Sequence, residues 1–148
     1  HEQHLVTDFI QEILRSNDAT KIQVGEVHDR VYGHLRHLET DIAFHSSSRP
    51  EHLLNVLHPT PAVGGNPRDA ALRFIETNEA APRGYYAGYL GLIGEDSAEF
   101  YVNLRCMQCH ANGYRVFAGG GIVQGSNPQD EWQETQIKID SIRTKLTS

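Results

Sequence analysis

The stretch over residues 117–146, FAGGGIVQGSNPQDEWQETQIKIDSIRTKL, constrains the fold of this chain more than any other. It reads as the end of a strand, a run of glycines, a capped helix start and a long helix. Gly119, Gly120 and Gly121 carry no Cβ, so the backbone there can come close to a ligand and turn N–H groups towards an anion. Asn127 suits the N-cap, Pro128 the first helical position, and Gln129 and Asp130 follow. Trp132, Ile139, Ile142 and Leu146 recur at helical spacing and are predicted to face a core. Glu131, Glu134 and Lys138 are three and four residues apart, which places them on one face. Two carboxylates one turn apart can hold a hard divalent cation through oxygen, typically Mg²⁺ with waters retained. Together these features suggest a small anionic substrate bridged to the protein by the ion. A Glu-x-x-Glu pair is also a common solvated surface feature, and a glycine triplet a common turn or bulge. The residues by themselves leave both readings open.

Composition narrows the function classes. At 148 residues the chain can bury a real core, and with 39% apolar and 22% charged residues it is ordinary for a globular protein. Its net charge is −6 and it contains no basic run, which argues against nucleic acid or an anionic membrane as partner. No apolar run reaches the length of a membrane span, and no signal peptide is evident. The chain opens at His1 and its only methionine is Met107, so it is expected to be a piece of a longer chain or a processed product.

Cys106, Cys109 and His110 match the C-x-x-C-H pattern of haem attachment. The flanking residues 99–105, EFYVNLR, alternate like a strand, and strand residues three apart point to opposite faces. The two thiols would then not converge on haem or zinc, and no second cysteine pair exists to complete a Cys₄ site. Two free thiols fit a reducing cytoplasm.

In chain order, Leu5, Phe9 and Ile13 with Val6, Ile10 and Leu14 predict an amphipathic helix over residues 2–15. Glu2 lies on its apolar side at the N-terminal end, where it is either solvated or aimed into a site. Residues 23–31 and 33–44 read as two strands. His28, His34, His37 and His45 fall between residues 28 and 45, but no H-x-x-x-H lies on a convincing helix, so these are read as solvated or structural rather than zinc ligands. Residues 51–57 form a short helix. Residues 58–67, HPTPAVGGNP, contain three prolines and two glycines and are predicted to form a rigid irregular loop, either an active-site wall or a plain connector. Residues 68–78 read as a helix. Residues 85–93, 99–108 and 114–118 read as three strands of an antiparallel meander, the last two joined through Asn112 and Gly113. The fold class is α+β, with about four helices and five strands. No repeat or composition break divides the chain.

Five segments in order and spacing, LHPTPAVGGNPRDAAL, PRGYYAGYLG, EFYVNLR, AGGGIV and SNPQDEWQETQIK, closely resemble the C-terminal part of the chorismate-utilising enzymes. That family includes isochorismate synthase, anthranilate synthase component I, aminodeoxychorismate synthase and salicylate synthase. The resemblance covers nearly the whole chain and weakens over residues 21–33 and 46–51. It implies that helices pack outside antiparallel sheets with the active site between them, and that residues 1–148 are the C-terminal part of one chorismate-binding catalytic domain.

The resemblance also implies roles. Glu131 and Glu134 match Mg²⁺ ligands, and Glu2, in HEQHLV, matches a third metal carboxylate. The ion would grip the ring carboxylate of chorismate. Tyr86 and Arg105 match residues holding the enolpyruvyl carboxylate, Gly119 to Gly121 the backbone loop beside the carboxylates, and Lys138 a cation near the metal. His37, in HLET, matches a histidine lining the ring pocket. Chorismate is a dianion, and metal, arginine, lysine and amide donors would neutralise it.

Within the family the expected activity is that of an isochorismate synthase, a cytoplasmic isomerase serving menaquinone or siderophore biosynthesis. The discriminating position is Ala62, where the aminating enzymes and salicylate synthases carry Thr. Anthranilate or aminodeoxychorismate synthase is the alternative. The family's base lysine and acid glutamate belong to segments N-terminal to His1, so this chain alone is expected to be inactive. Two further expectations follow. Without its natural N-terminal packing partner the chain self-associates through its exposed sheet and core surface or fills the missing partner's place with rearranged segments, and the non-enzyme alternative is a truncated Mg²⁺-binding domain without turnover.

Overall fold

The computed structural model describes the backbone over residues 2–32 and 35–146, and the side chains at 2, 3, 32 and 35–37 lie outside the described set. The contacts divide the chain into two compact units, residues 1–64 and 65–148.

The first unit begins with α1 (Glu2–Ser16), close to the range its periodicity predicts. Leu14 is fully buried, and Val6, Phe9, Ile10 and Ile13 are half-buried around it, whereas Leu5 is exposed. The inward stripe therefore runs through Val6, Ile10 and Leu14 rather than through Leu5. α1 packs against α2 (Pro50–Leu57) and α3 (Pro61–Gly64). α3 corrects the reading of residues 58–67 as wholly irregular. Pro61 opens a single helical turn, and the Thr60 carbonyl accepts from the N–H groups of Val63 and Gly64.

The two long strands expected over 23–31 and 33–44 are four short ones: β1 (Thr20–Val24), β2 (His28–Tyr32), β3 (Leu35–Glu39) and β4 (Ile42–His45). β1 pairs with β4 and β2 with β3, both antiparallel. They follow one another along a single hairpin, bridged by Gly25 N–H donating to the Asp41 carbonyl at 2.8 Å. A register shift lies between Thr20 and Gln23, where Lys21 adopts φ 51°.

The second unit opens with α4 (Arg68–Asn78), which spans the predicted residues. β5 (Tyr89–Ile93) pairs with β6 (Ala98–Val102), and β7 (Cys106–His110) with β8 (Gly113–Phe117). The expected three-strand meander is thus two separate hairpins. Residues 85–88 form a turn rather than strand, with Ala87 at φ 62°, and the predicted strand 99–108 breaks where Arg105 takes φ 51°. A left-handed residue reverses the chain direction and ends the ladder. Asn112 and Gly113 sit at the tip of the second hairpin as predicted, with His110 opposite Gly113.

α5 (Pro128–Arg143) packs against β8. Its half-buried face contains Glu131, Thr135, Lys138 and Ile142, spaced at four, three and four residues. Ile139 and Ile142 are half-buried as expected, but Trp132 is 65% exposed and Leu146 is exposed beyond the helix end. The helix thus turns carboxylate and ammonium groups inward where its apolar spacing suggested Trp132. In all, the described residues form five helices and eight strands, a mixed α and β fold with small antiparallel sheets.

Candidate functional site

The site is built where β8 gives way to α5. The Asn127 side chain accepts from Gln129 N–H at 2.9 Å and Asp130 N–H at 3.4 Å, and Pro128 occupies the first turn. Cap and proline together set the helix start, and the helical spacing puts Glu131, Glu134 and Lys138 on one face.

Glu131 is half-buried. The Ser126 hydroxyl donates to its Oε1 at 2.7 Å. Its Oε2 lies 3.3 Å from the point a Cβ on Gly120 would occupy. A side chain at 120 would crowd the carboxylate; glycine leaves the space open. One turn on, Glu134 Oε1 is 2.6 Å from Lys138 Nζ, and that ammonium also donates to the Gly119 carbonyl at 3.1 Å. Gly119 in turn meets Tyr86: a Cβ there would stand 2.6 Å from the tyrosine hydroxyl oxygen. Real Cβ atoms do not approach so closely, so the loop passes Tyr86 only because residue 119 has none. The backbone N–H groups of Gly119, Gly120 and Gly121 make no hydrogen bond with another described residue.

Tyr86 is held from several directions. Its N–H donates to the Arg83 carbonyl at 2.9 Å within the 85–88 turn. Asn103 stitches that turn down: its side-chain amide donates to the Tyr85 carbonyl at 2.8 Å, its N–H to Gly88 at 2.8 Å, and its carbonyl accepts from Ala87 at 2.9 Å. The Tyr86 ring stacks on Phe117 with centroids 5.5 Å apart, and the Arg83 guanidinium lies 5.7 Å from its centroid. Arg83 forks onto Glu79, with Nε–Oε2 at 2.8 Å and Nη2–Oε1 at 2.6 Å. Burial pushes the Tyr86 hydroxyl pKa up, against a downward pull from Arg83 and further upward pushes from Glu79 and Cys106. Hydrogen bonding to Glu79 raises the Arg83 pKa, against the desolvation that would lower it.

Of the residues singled out in the sequence, Tyr86, Gly119, Gly120, Glu131, Glu134 and Lys138 form one connected arrangement in the second unit. Gly121 continues the loop and is exposed. Arg105 is exposed, two residues beyond Asn103, without a hydrogen bond or ion pair to another described residue. Glu2, His37 and Ala62 belong to the first unit. Glu2 opens α1, and the side chain that was expected to join Glu131 and Glu134 lies outside the described residues. His37 sits on β3 opposite Arg30, its side chain likewise outside the described residues. Ala62 is exposed on α3. Among the described residues no three His, Cys, Asp or Glu side chains gather into a metal cluster.

Glu131 and Glu134 nonetheless have the donor chemistry that a hard cation takes. Both are oxygen donors one helical turn apart, and one Glu131 oxygen faces space kept clear by Gly120. Cys106 and Cys109 are free on one strand, three residues apart. Sequence reading missed Ser126, Glu79, Arg83 and Asn103. Ser126 just before an N-cap, and Glu79 four residues before Arg83, are the signals that could have found three of them.

Three comparisons bear on this geometry. The family model described as chorismate binding enzyme matches residues 1–147. The chain is 45% identical over 93 residues to isochorismate synthase MenF of Escherichia coli K12, an alignment covering 63% of this chain and 22% of that protein. It is 38% identical to the salicylate biosynthesis isochorismate synthase of Pseudomonas aeruginosa, covering 100% of this chain and 32% of that one. The solved structure of MenF, the menaquinone-specific isochorismate synthase from Escherichia coli, superposes with a TM-score of 0.89 at 35% identity, over 97% of this chain and 33% of that chain. The chain thus spans about a third or less of the length of each of these proteins.

Proposed function

The chain belongs to the chorismate-binding enzymes, and from that premise we propose that it forms part of a Mg²⁺-dependent isochorismate synthase. The observation that carries this reading is the half-buried Glu131 carboxylate, with one oxygen taken by Ser126 and the other turned to Gly120 beside three loop amides without partners among the described residues. The names of the similar proteins favour isochorismate formation over the aminating reactions. Both units are taken as part of one catalytic domain, since the family model runs across them.

In this reaction water adds at ring C2 of chorismate and the C4 hydroxyl leaves, so the product is an isomer. Glu131 and Glu134, with Glu2 as third carboxylate, would hold the ion. Bound there, Mg²⁺ supplies positive charge for the ring carboxylate. The amides of Gly119 to Gly121 donate to the same carboxylate, and Lys138 keeps the carboxylate-rich face from being uniformly negative. Tyr86 and Arg105 take the enolpyruvyl carboxylate, and Arg105 has its donors available among the described residues. Such charge-assisted contacts fix a dianion in one orientation. The family resemblance assigns His37 and Ala62 to the ring side of the substrate. The family's base lysine and acid glutamate are not assigned to any residue of this chain. From the free thiols Cys106 and Cys109 we infer a reducing, cytoplasmic setting.

The test is conversion of chorismate by the full-length parent, with product identified chromatographically. Glu131→Gln lowers kcat/KM by at least ~10²-fold, and chelation of Mg²⁺ abolishes turnover. Retained activity in Glu131→Gln refutes the metal role, and anthranilate or aminodeoxychorismate as product refutes the choice of reaction.

A further inference from the structure

Ser126 joins the turn before the last helix to the Glu131 carboxylate. Val123 to Ser126 form a tight turn, in which Ser126 N–H donates to the Val123 carbonyl at 3.0 Å. Gly125 sits at the third turn position with φ 94°, the place where a type II turn needs a positive φ. The Ser126 hydroxyl is pinned at both ends. It accepts from Val123 N–H at 3.1 Å and donates to Glu131 Oε1 at 2.7 Å. With Asn127 as N-cap, Ser126 is the residue before the cap and Glu131 the fourth helical residue. Helices commonly place two apolar side chains at those positions, in contact, to fix the entry of the chain. Here the pair is a hydroxyl and a half-buried carboxylate. A staple made only for stability would not need an ionisable partner.

We propose that Ser126 is the positioning residue for Glu131: its hydroxyl claims Oε1 and so presents Oε2 to a divalent cation at the Gly120 side of the loop. This rests on the reading of Glu131 as a metal ligand. The hydroxyl proton points at Oε1 because a carboxylate oxygen can only accept, while a lone pair of the same hydroxyl accepts from Val123 N–H. The carboxylate cannot then rotate without breaking a charge-assisted bond. Partners of this kind that orient a ligand change metal affinity by about 10- to 100-fold when removed.

The experiment is Mg²⁺ titration by calorimetry of the 148-residue chain. Trp132, its only tryptophan and a neighbour of Glu131 in the groove beside Gly120, gives a second, fluorescence readout. Thermal melts without Mg²⁺ accompany each variant. Ser126→Ala weakens Mg²⁺ about 10- to 100-fold, and Ser126→Thr, which keeps the hydroxyl, stays within about threefold of wild type. Asn127→Ala loses the cap and lowers the melting temperature, yet binds Mg²⁺ within about threefold of wild type, because it leaves the Ser126–Glu131 bond intact. Should Ser126→Ala not fold, Ser126→Cys, a weak donor of similar size, takes its place with the same expectation. Wild-type affinity in Ser126→Ala, or an equal loss in Asn127→Ala, overturns the positioning role. Absence of Mg²⁺ binding by the wild-type chain overturns the metal reading itself, and this inference with it.

Discussion

Lys138 Nζ lies 2.6 Å from Glu134 Oε1 and 3.1 Å from the Gly119 carbonyl oxygen, so a single ammonium ties the last helix to the glycine loop. The pair is four residues apart and partly exposed, an arrangement worth ~0.3–0.5 kcal/mol. Lys138→Met therefore lowers stability by about that amount. It also frees Glu134, and ~0.4 kcal/mol corresponds to roughly a twofold gain in Mg²⁺ affinity. Affinity for the chorismate dianion falls in the same variant. Calorimetric titrations of metal and substrate check both signs, and an unchanged Mg²⁺ affinity would show that Lys138 does not compete for Glu134.

The approach of Gly119 to Tyr86 predicts a coupled pair of substitutions. Gly119→Ala puts a Cβ 2.6 Å from the tyrosine hydroxyl oxygen, and such overpacking costs ~1–3 kcal/mol. Tyr86→Phe removes that oxygen. In the double variant the loss is smaller than the sum of the single losses by ~0.5 kcal/mol or more. Urea melts of the four proteins give the comparison, and strict additivity would mean that the contact is not what forbids a side chain at 119.

The Tyr86 phenol predicts an alkaline effect. Burial raises its pKa above the ordinary 10.0, so the native chain holds the proton more firmly than the unfolded chain does. The associated stability is fully present below pH ~10 and is lost as pH rises through the native value. Wild type should lose stability over that window by more than Tyr86→Phe does. Melts across the alkaline range, with ¹³Cζ-tyrosine NMR following ionisation, decide it. Equal losses in the two proteins would remove Tyr86 as the cause.

Ala62, exposed on α3, is the position proposed to choose the reaction. On the proposed reading, a threonine there would bring a branched hydroxyl side chain towards the attacking water. Ala62→Thr in the full-length parent shifts product towards pyruvate elimination. An unchanged product ratio in a chromatographic assay removes Ala62 from that role.

β5 is exposed at all five residues, with Leu92 79%, Ile93 59% and Leu90 56% exposed, and among the described residues its sheet has two strands. Strand edges and apolar side chains left open in this way recruit other chains. The 148-residue chain is expected to self-associate, and Leu92→Lys to weaken that association. It is also expected to turn over no chorismate, since positioned acids and bases contribute ~10²–10⁴-fold each. Sedimentation of wild type as a monomer at every concentration, or turnover above buffer, would refute these expectations.

What the residues determined by themselves is what a few neighbours along the chain decide. Asn127 and Pro128 start α5, and helical periodicity places α1 and α4, because caps, φ restriction and side-chain spacing act within one or two turns. The shared face of Glu131, Glu134 and Lys138 was legible for the same reason. Strand ends were not. Ala87 and Arg105 take positive φ although neither residue type favours it. Asn103 holds the turn at Ala87 through three hydrogen bonds from across the sheet, a partner that local sequence does not announce. Nor could periodicity show that α5 turns Glu131 inward and leaves Trp132 outside, since spacing defines a face but not what that face meets. Only tertiary structure brings Tyr86 under Gly119 from 33 positions away in the chain. That approach depends on the Phe117 stack and on the absence of one Cβ, and both become visible only when the two segments meet in space.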